Sequence, residues 1–125
     1  MSIVMNGSTG LTITGTATAS TFGGVTTTAV NDGQFSGGTY APVTAGGNMR
    51  FITNNGPFVL VCPSGGSLTS FTMVIQITNG SAPGAITLSG FTKVSGAFTT
   101  TIGDDFMLFI TVCNGFSVAN IVTLQ

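Results

Sequence analysis

Charge is what this sequence most lacks. Of 125 residues only Asp32, Arg50, Lys93, Asp104 and Asp105 are charged, 4% of the chain, against about 25% in an ordinary globular domain. Two basic residues cannot neutralise a run of phosphates, which argues against nucleic-acid binding by counterion release. Histidine is absent, and with it the commonest general base and metal ligand. Tryptophan is absent as well. Cysteine is limited to Cys62 and Cys113. Two do not make a disulfide framework, and a zinc site needs about four ligands. The longest nearly unbroken apolar run, Phe106 to Cys113, falls far short of the roughly 20 residues of a membrane helix. Met1 to Gly10 has no basic start followed by an apolar stretch, so no secretory signal is expected.

What is present points to order. Disorder pairs low hydrophobicity with high net charge; here 42% of residues are hydrophobic and the net charge is −1. The length is that of one domain, and size scaling allows about two thirds of the unfolded surface to be buried. No segment keeps a helical period of apolar residues. Glycine recurs every few residues, and inside a helix each would cost about 1 kcal/mol relative to alanine. Thr, Val, Ile and Phe dominate instead and suit a pleated surface. The chain reads as all-β, with short strands between turns.

The first third is thin. Leu11 to Thr18 alternates with period two, with Leu11, Ile13 and Ala17 on one face. Val25 to Val30 reads as a weak second strand. Residues 1–29 offer little to offset the entropy of ordering them, and are expected to form an extended arm or loose hairpin that packs on another subunit. Residues 30–125 are expected to form the β-sandwich domain, with Gly46 to Gln125 as its self-sufficient part. Its strands read as Asn48–Thr53, Phe58–Cys62, Phe71–Thr78, Ala85–Ser89, Asp105–Cys113 and Phe116–Leu124. Asn54-Asn55-Gly56-Pro57 and Asn114-Gly115 carry hairpin turn signals. Both faces of Asp105–Cys113 are apolar, so it is expected to be a central strand buried on both sides. The spacing suggests an antiparallel β-sandwich, jelly-roll-like, with the N-terminal arm extended from it.

Few residues carry chemistry. Asp104 and Asp105 are adjacent and would point to opposite faces of a strand, so they cannot clamp a substrate together as glycosidase carboxylates do. They read as a polar turn; a calcium set completed by Asp32 is the sharper alternative and would need carbonyls for most of its six to eight oxygens. Lys93 is the one residue that could serve a serine nucleophile as base, and reads more simply as a solvated strand end. The paired glycines lie in no phosphate-cradling motif. Cys62 and Cys113 read as packed thiols, with a single bridge between them as the alternative. The Thr12, Thr14, Thr16, Thr18 array occurs once, without the stacked copies an ice-binding solenoid needs, and no repeat of fixed period is evident. No catalytic, cofactor-binding or metal-binding residue is assigned. Leu11, Ile13, Phe22, Phe35 and Tyr40 are interface candidates, being large apolar or aromatic residues in a sparse region.

From Asp32 to Gln125 the sequence resembles small phage-encoded virion proteins and tail-fibre modules. The stretches that carry the resemblance are DGQFSGGTYAP, GGNMRFITNNGPFVLVCPSG, FTMVIQITNGSAPGAITLSGFTKVSG and FTTTIGDDFMLFITVCNGFSVANIVTLQ, and the opening MNGSTGLTITG is similar to the start of some phage fibre proteins. The resemblance implies a β-sandwich on a virus particle, often trimeric. It suits the charge deficit, because a surface this poor in charge is weakly protected against association. The expectation is a non-enzymatic virion structural protein: a capsid decoration (cement) protein on the outer surface of the head, homo-oligomeric and trimeric, contacting the major capsid protein or other virion proteins. A small tail-fibre or head-fibre tip that binds the host surface is the alternative. No nucleic acid, membrane or cofactor is expected.

Overall fold

A computed structural model describes residues 28–64 and 70–124. These residues hold nine strands and no helix: β1 (Val30–Phe35), β2 (Thr39–Tyr40), β3 (Met49–Asn54), β4 (Phe58–Val61), β5 (Phe71–Asn79), β6 (Ile86–Ser89), β7 (Lys93–Ser95), β8 (Asp105–Cys113) and β9 (Phe116–Leu124). The all-β class is as expected. Residues 1–27, which hold most of the expected N-terminal arm with Leu11, Ile13 and Phe22, lie outside the described residues.

The first six strands wind as a coil. They alternate between two sheets, and within each sheet successive turns of the coil pair in parallel: β1 with β3 and β3 with β5 in one, β2 with β4 and β4 with β6 in the other. The turn length is uneven. It is 20 residues from Val30 to Arg50 and from Thr39 to Val59, then 25 from Met49 to Val74 and 28 from Phe58 to Ile86. That unevenness hides the repeat from a search for a fixed period. After β6 the chain returns to the larger sheet as β7, and the hairpin β8–β9 is inserted between β5 and β7, giving the order β1-β3-β5-β8-β9-β7. Since β7 runs parallel to β9, β8 is the one strand of this sheet that runs against the others.

The antiparallel pairing expected throughout therefore holds for β5–β8 and β8–β9 only. The reason lies in the turns. Asn114-Gly115 makes the hairpin its sequence signals, with φ of 50° and 76° at the two residues, both in the left-handed region that a type I′ turn requires. Asn54 to Pro57 instead makes a corner that carries the chain from β3 in one sheet to β4 in the other. Asn54 spends its side-chain oxygen on the backbone N–H groups of Gly56 and Gly84 rather than letting β4 fold back on β3.

One core lies between the sheets. In the larger sheet the inward residues stack in rows across the strands. Ile52, Ile77 and Phe106 form one row, Arg50, Ile75, Leu108 and Ile121 the next, and Met73, Ile110 and Ala119 a third. Tyr40, Phe58 and Leu60 close the core from the smaller sheet. The side chains of Phe106, Leu108 and Ile110 are at most 1% exposed.

β8 departs from expectation on its other side. Phe106, Leu108, Ile110 and Val112 are buried, but Phe109 is 42% exposed and Cys113 is exposed too. Nothing in the described residues covers that face, so alternation decides burial even though both faces are apolar. Phe106→Ala, Leu108→Ala and Ile110→Ala should each cost about 2–5 kcal/mol. Phe109→Ala should cost less, about 1–2 kcal/mol in the isolated chain, because only part of the side chain is removed from water. Urea unfolding of the four variants checks the ranking.

Candidate functional site

The sequence places Asp32 beside a glycine, and the structure shows why. Strand β1 carries a bulge between Asn31 and Gly33. The Asn31 side chain accepts from the Gly33 N–H at 2.9 Å, and Gly33 sits at φ +89°. The bulge re-aims Asp32. Its carboxylate accepts two hydrogen bonds from Arg50 Nη1, at 2.8 and 2.7 Å, and one from the Tyr40 hydroxyl at 2.5 Å. Arg50 is 5% exposed. Its other terminal nitrogen donates to the carbonyls of Val43 and Ala45, while Nε has no partner. The guanidinium thus fastens the segment between β2 and β3 to the coil. Burial foremost, then the hydrogen bond to Asp32 and its charge, push the Tyr40 phenol well above its ordinary value of 10.0. Tyr40 is a hydrogen-bond donor locked in the neutral form.

A second polar cluster sits where β3 and β5 end. Asn54 and Asn79 are register partners and both are buried. Asn54 Nδ2 donates to Asn79 Oδ1 at 2.8 Å and to the Gly84 carbonyl at 2.9 Å. Asn79 Nδ2 donates to the carbonyls of Thr99 and Thr101, each at 2.9 Å. This amide pair ties together the β3–β4 corner, the loop before β6 and the segment before β8. Gly84 belongs to the same contact: a Cβ there would lie 2.0 Å from Pro57 N. A sequence signal for the pair exists and was missed. Ile-Thr-Asn occurs at 52–54 and again at 77–79, and the two triplets are the residues that stack in register.

The remaining candidates are placed individually. Asp105 accepts from Thr78 Oγ1, and Asp104 from Thr99 Oγ1, while Asp32 is engaged by Arg50 and Tyr40. The three acids that would have formed a calcium set are not brought together, and no group of three or more His, Cys, Asp or Glu side chains forms among the described residues. Lys93 opens the short edge strand β7 and is exposed, a charge on an edge that discourages strand pairing. Of the interface candidates within the described residues, Tyr40 is a core residue, 5% exposed. Phe35 is half-buried and packs against Tyr40 and Phe58, with ring centroids 4.6 and 5.4 Å away. Both serve the chain's own interior, because the first turn of the coil stacks directly on the second. Cys62 and Cys113 are free thiols. Cys62 packs beside the core as expected; Cys113 does not, because it shares the outward parity of Phe109.

Two apolar surfaces remain. One is an open cleft of about 340 Å³ between β6 and the segment after β7, walled by Ile86, Leu88, Val94, Phe98 and Ile121; no charged side chain lines it. The other is the outer face of the six-stranded sheet. Its rows read Met49–Val74–Phe109–Asn120 and Phe51–Gln76–Met107–Val122. Met49, Phe51, Phe109 and Val122 are 37–42% exposed. The charged residues on this face, Asp105 and Lys93, stand at the start of β8 and on edge strand β7, so its centre is uncharged. Among the described residues it is the face of the larger of the two sheets.

Against family models, curated proteins and solved structures, the chain finds no match.

Two outcomes test the Asp32 cluster. A phenol whose value is raised on folding contributes stability that is whole below pH 10 and is lost as the pH climbs above it. The loss should approach about 1.4 kcal/mol per pH unit, and Tyr40→Phe should remove that extra slope. As Tyr40 is the one tyrosine and tryptophan is absent, phenolate absorbance followed against pH reads this group directly, and it should appear together with unfolding. Arg50→Ala strands the Asp32 carboxylate in a largely buried site and should cost about 3–5 kcal/mol, measured by chemical denaturation at pH 7.

Proposed function

We propose that this chain is a non-enzymatic structural protein of a phage particle, a capsid decoration protein that works in several copies on the outer surface of the head. The observation that carries the reading is the outer face of the six-stranded sheet: broad, apolar and uncharged at its centre. A surface of that kind is suited to permanent contact rather than to life as a free monomer. The charged groups support the same reading, since four of the five are engaged in holding the chain's own turns and loops and the fifth guards an edge strand. The resemblance of residues 32–125 to small virion proteins points the same way.

A fibre-tip reading has its own support. Parallel strands stacked turn upon turn extend along one axis by adding further turns, which is a geometry suited to a fibre. Copy number separates the two. In quantitative mass spectrometry of purified particles, hundreds of copies per particle are expected of a decoration protein, and a few to a few dozen of a fibre. Absence of the chain from purified particles would overturn both.

A further inference from the structure

We infer that the outer face of the six-stranded sheet is the surface through which copies of this chain bind one another. The inference deepens the proposed structural role by naming what covers the face, and its grounds are size, chemistry and shape.

Size comes first. β5, β8 and β9 are nine residues each, about 30 Å at the usual rise per residue, and with β3 they make a platform some 20 Å wide at the usual strand spacing. The footprint is on the order of 600 Å² before the relief of the side chains is added. The whole face, its threonines and amides included, thus approaches the roughly 800 Å² per partner of a stable protein–protein interface.

Chemistry selects the occupant. An ordinary protein surface carries about one charged residue in four. Pressed against the centre of this face, those charges would lose water and find nothing to pair with. The partner must therefore be as poor in charge as the face itself, and a second copy of this chain, with 4% charged residues, meets that condition. Polar contact is available without charge: Gln76 and Asn120 lie in the same rows as the apolar residues, and their amides can donate and accept across the seam.

Shape agrees. Two twisted sheets pack face to face about 10 Å apart, with side chains interdigitating and strand directions within about 30°. Phe109, with Val74 and Asn120 beside it in the row and Met107 two residues before it, gives such a seam an aromatic anchor at its centre, where interface energy concentrates.

Light scattering on the purified full chain at micromolar concentration tests the assignment. The wild type is expected at a multiple of 12.5 kDa. Phe109→Lys projects from the outer face, so its far-UV circular dichroism should match the wild type while its mass falls to that of one chain. Met49→Lys makes the same test from β3, should Phe109→Lys not fold. Ile102→Lys, at a 66% exposed position in the turn that precedes β8, should keep the wild-type mass. A wild type that is monomeric, a folded Phe109→Lys or Met49→Lys that keeps the wild-type mass, or an Ile102→Lys that dissociates equally, would each overturn the inference. Particle copy number decides the virion reading independently of these masses, so the two can fail separately.

Discussion

A coil of parallel strands has to turn corners between its two sheets, and each corner leaves backbone donors and acceptors that no strand pairing can satisfy. In this protein the stacked amides of Asn54 and Asn79 resolve that constraint. Each side chain reaches out of its own turn of the coil to the carbonyls of another segment, and the pair is bonded between turns. An uncompensated buried polar group costs about 1–3 kcal/mol, so a network satisfied in every member can hold a corner where an apolar side chain could not. The β3–β4 corner, the loop that delivers β6 and the segment that delivers β8 all hang on these two residues.

The inserted hairpin follows from that frame. With three turns of the coil in place, the sheet ends in β5, whose free edge accepts β8, and β9 then accepts β7 in parallel. The core is completed by Phe106, Leu108, Ile110, Ala119 and Ile121, so the hairpin supplies much of what the coil buries. Because side chains alternate strictly along a strand, burying these residues obliges Met107, Phe109 and Val122 to face outward. The apolar outer face and the buried core are thus two sides of one constraint.

The few charges are used economically. Asp32, Arg50 and Tyr40 form an internal cluster that fixes the segment between β2 and β3; Asp104 and Asp105 hold threonines; Lys93 sits on the edge strand. A buried ion pair of this kind is weak evidence of net stability. It specifies which loop lies against which strand, since only a bidentate guanidinium at Arg50 reaches both the carboxylate and two carbonyls.

Phe116–Leu124 and Asp105–Cys113 were readable to the residue, because two long runs rich in β-branched and aromatic residues joined by Asn114-Gly115 admit one local arrangement. The all-β class was readable for the same reason: β-branched residues, frequent glycine and no helical period leave nothing else. The coil was not, since unequal turns of 20, 25 and 28 residues conceal the repeat, and because Asn-Gly at 55–56 signals a hairpin when read locally. Whether it makes a hairpin or a corner depends on Asn79 and Gly84, which lie more than twenty residues further along. The bulge that aims Asp32 at Arg50 is likewise invisible to alternation. By itself, then, the sequence determined that charge would be scarce and where six of the nine strands form; β1, β2 and β7 escaped it, being short or largely polar. Tertiary structure decided which strands are neighbours, which apolar side of β8 is buried and which charges meet, because those depend on contacts between residues distant in the chain.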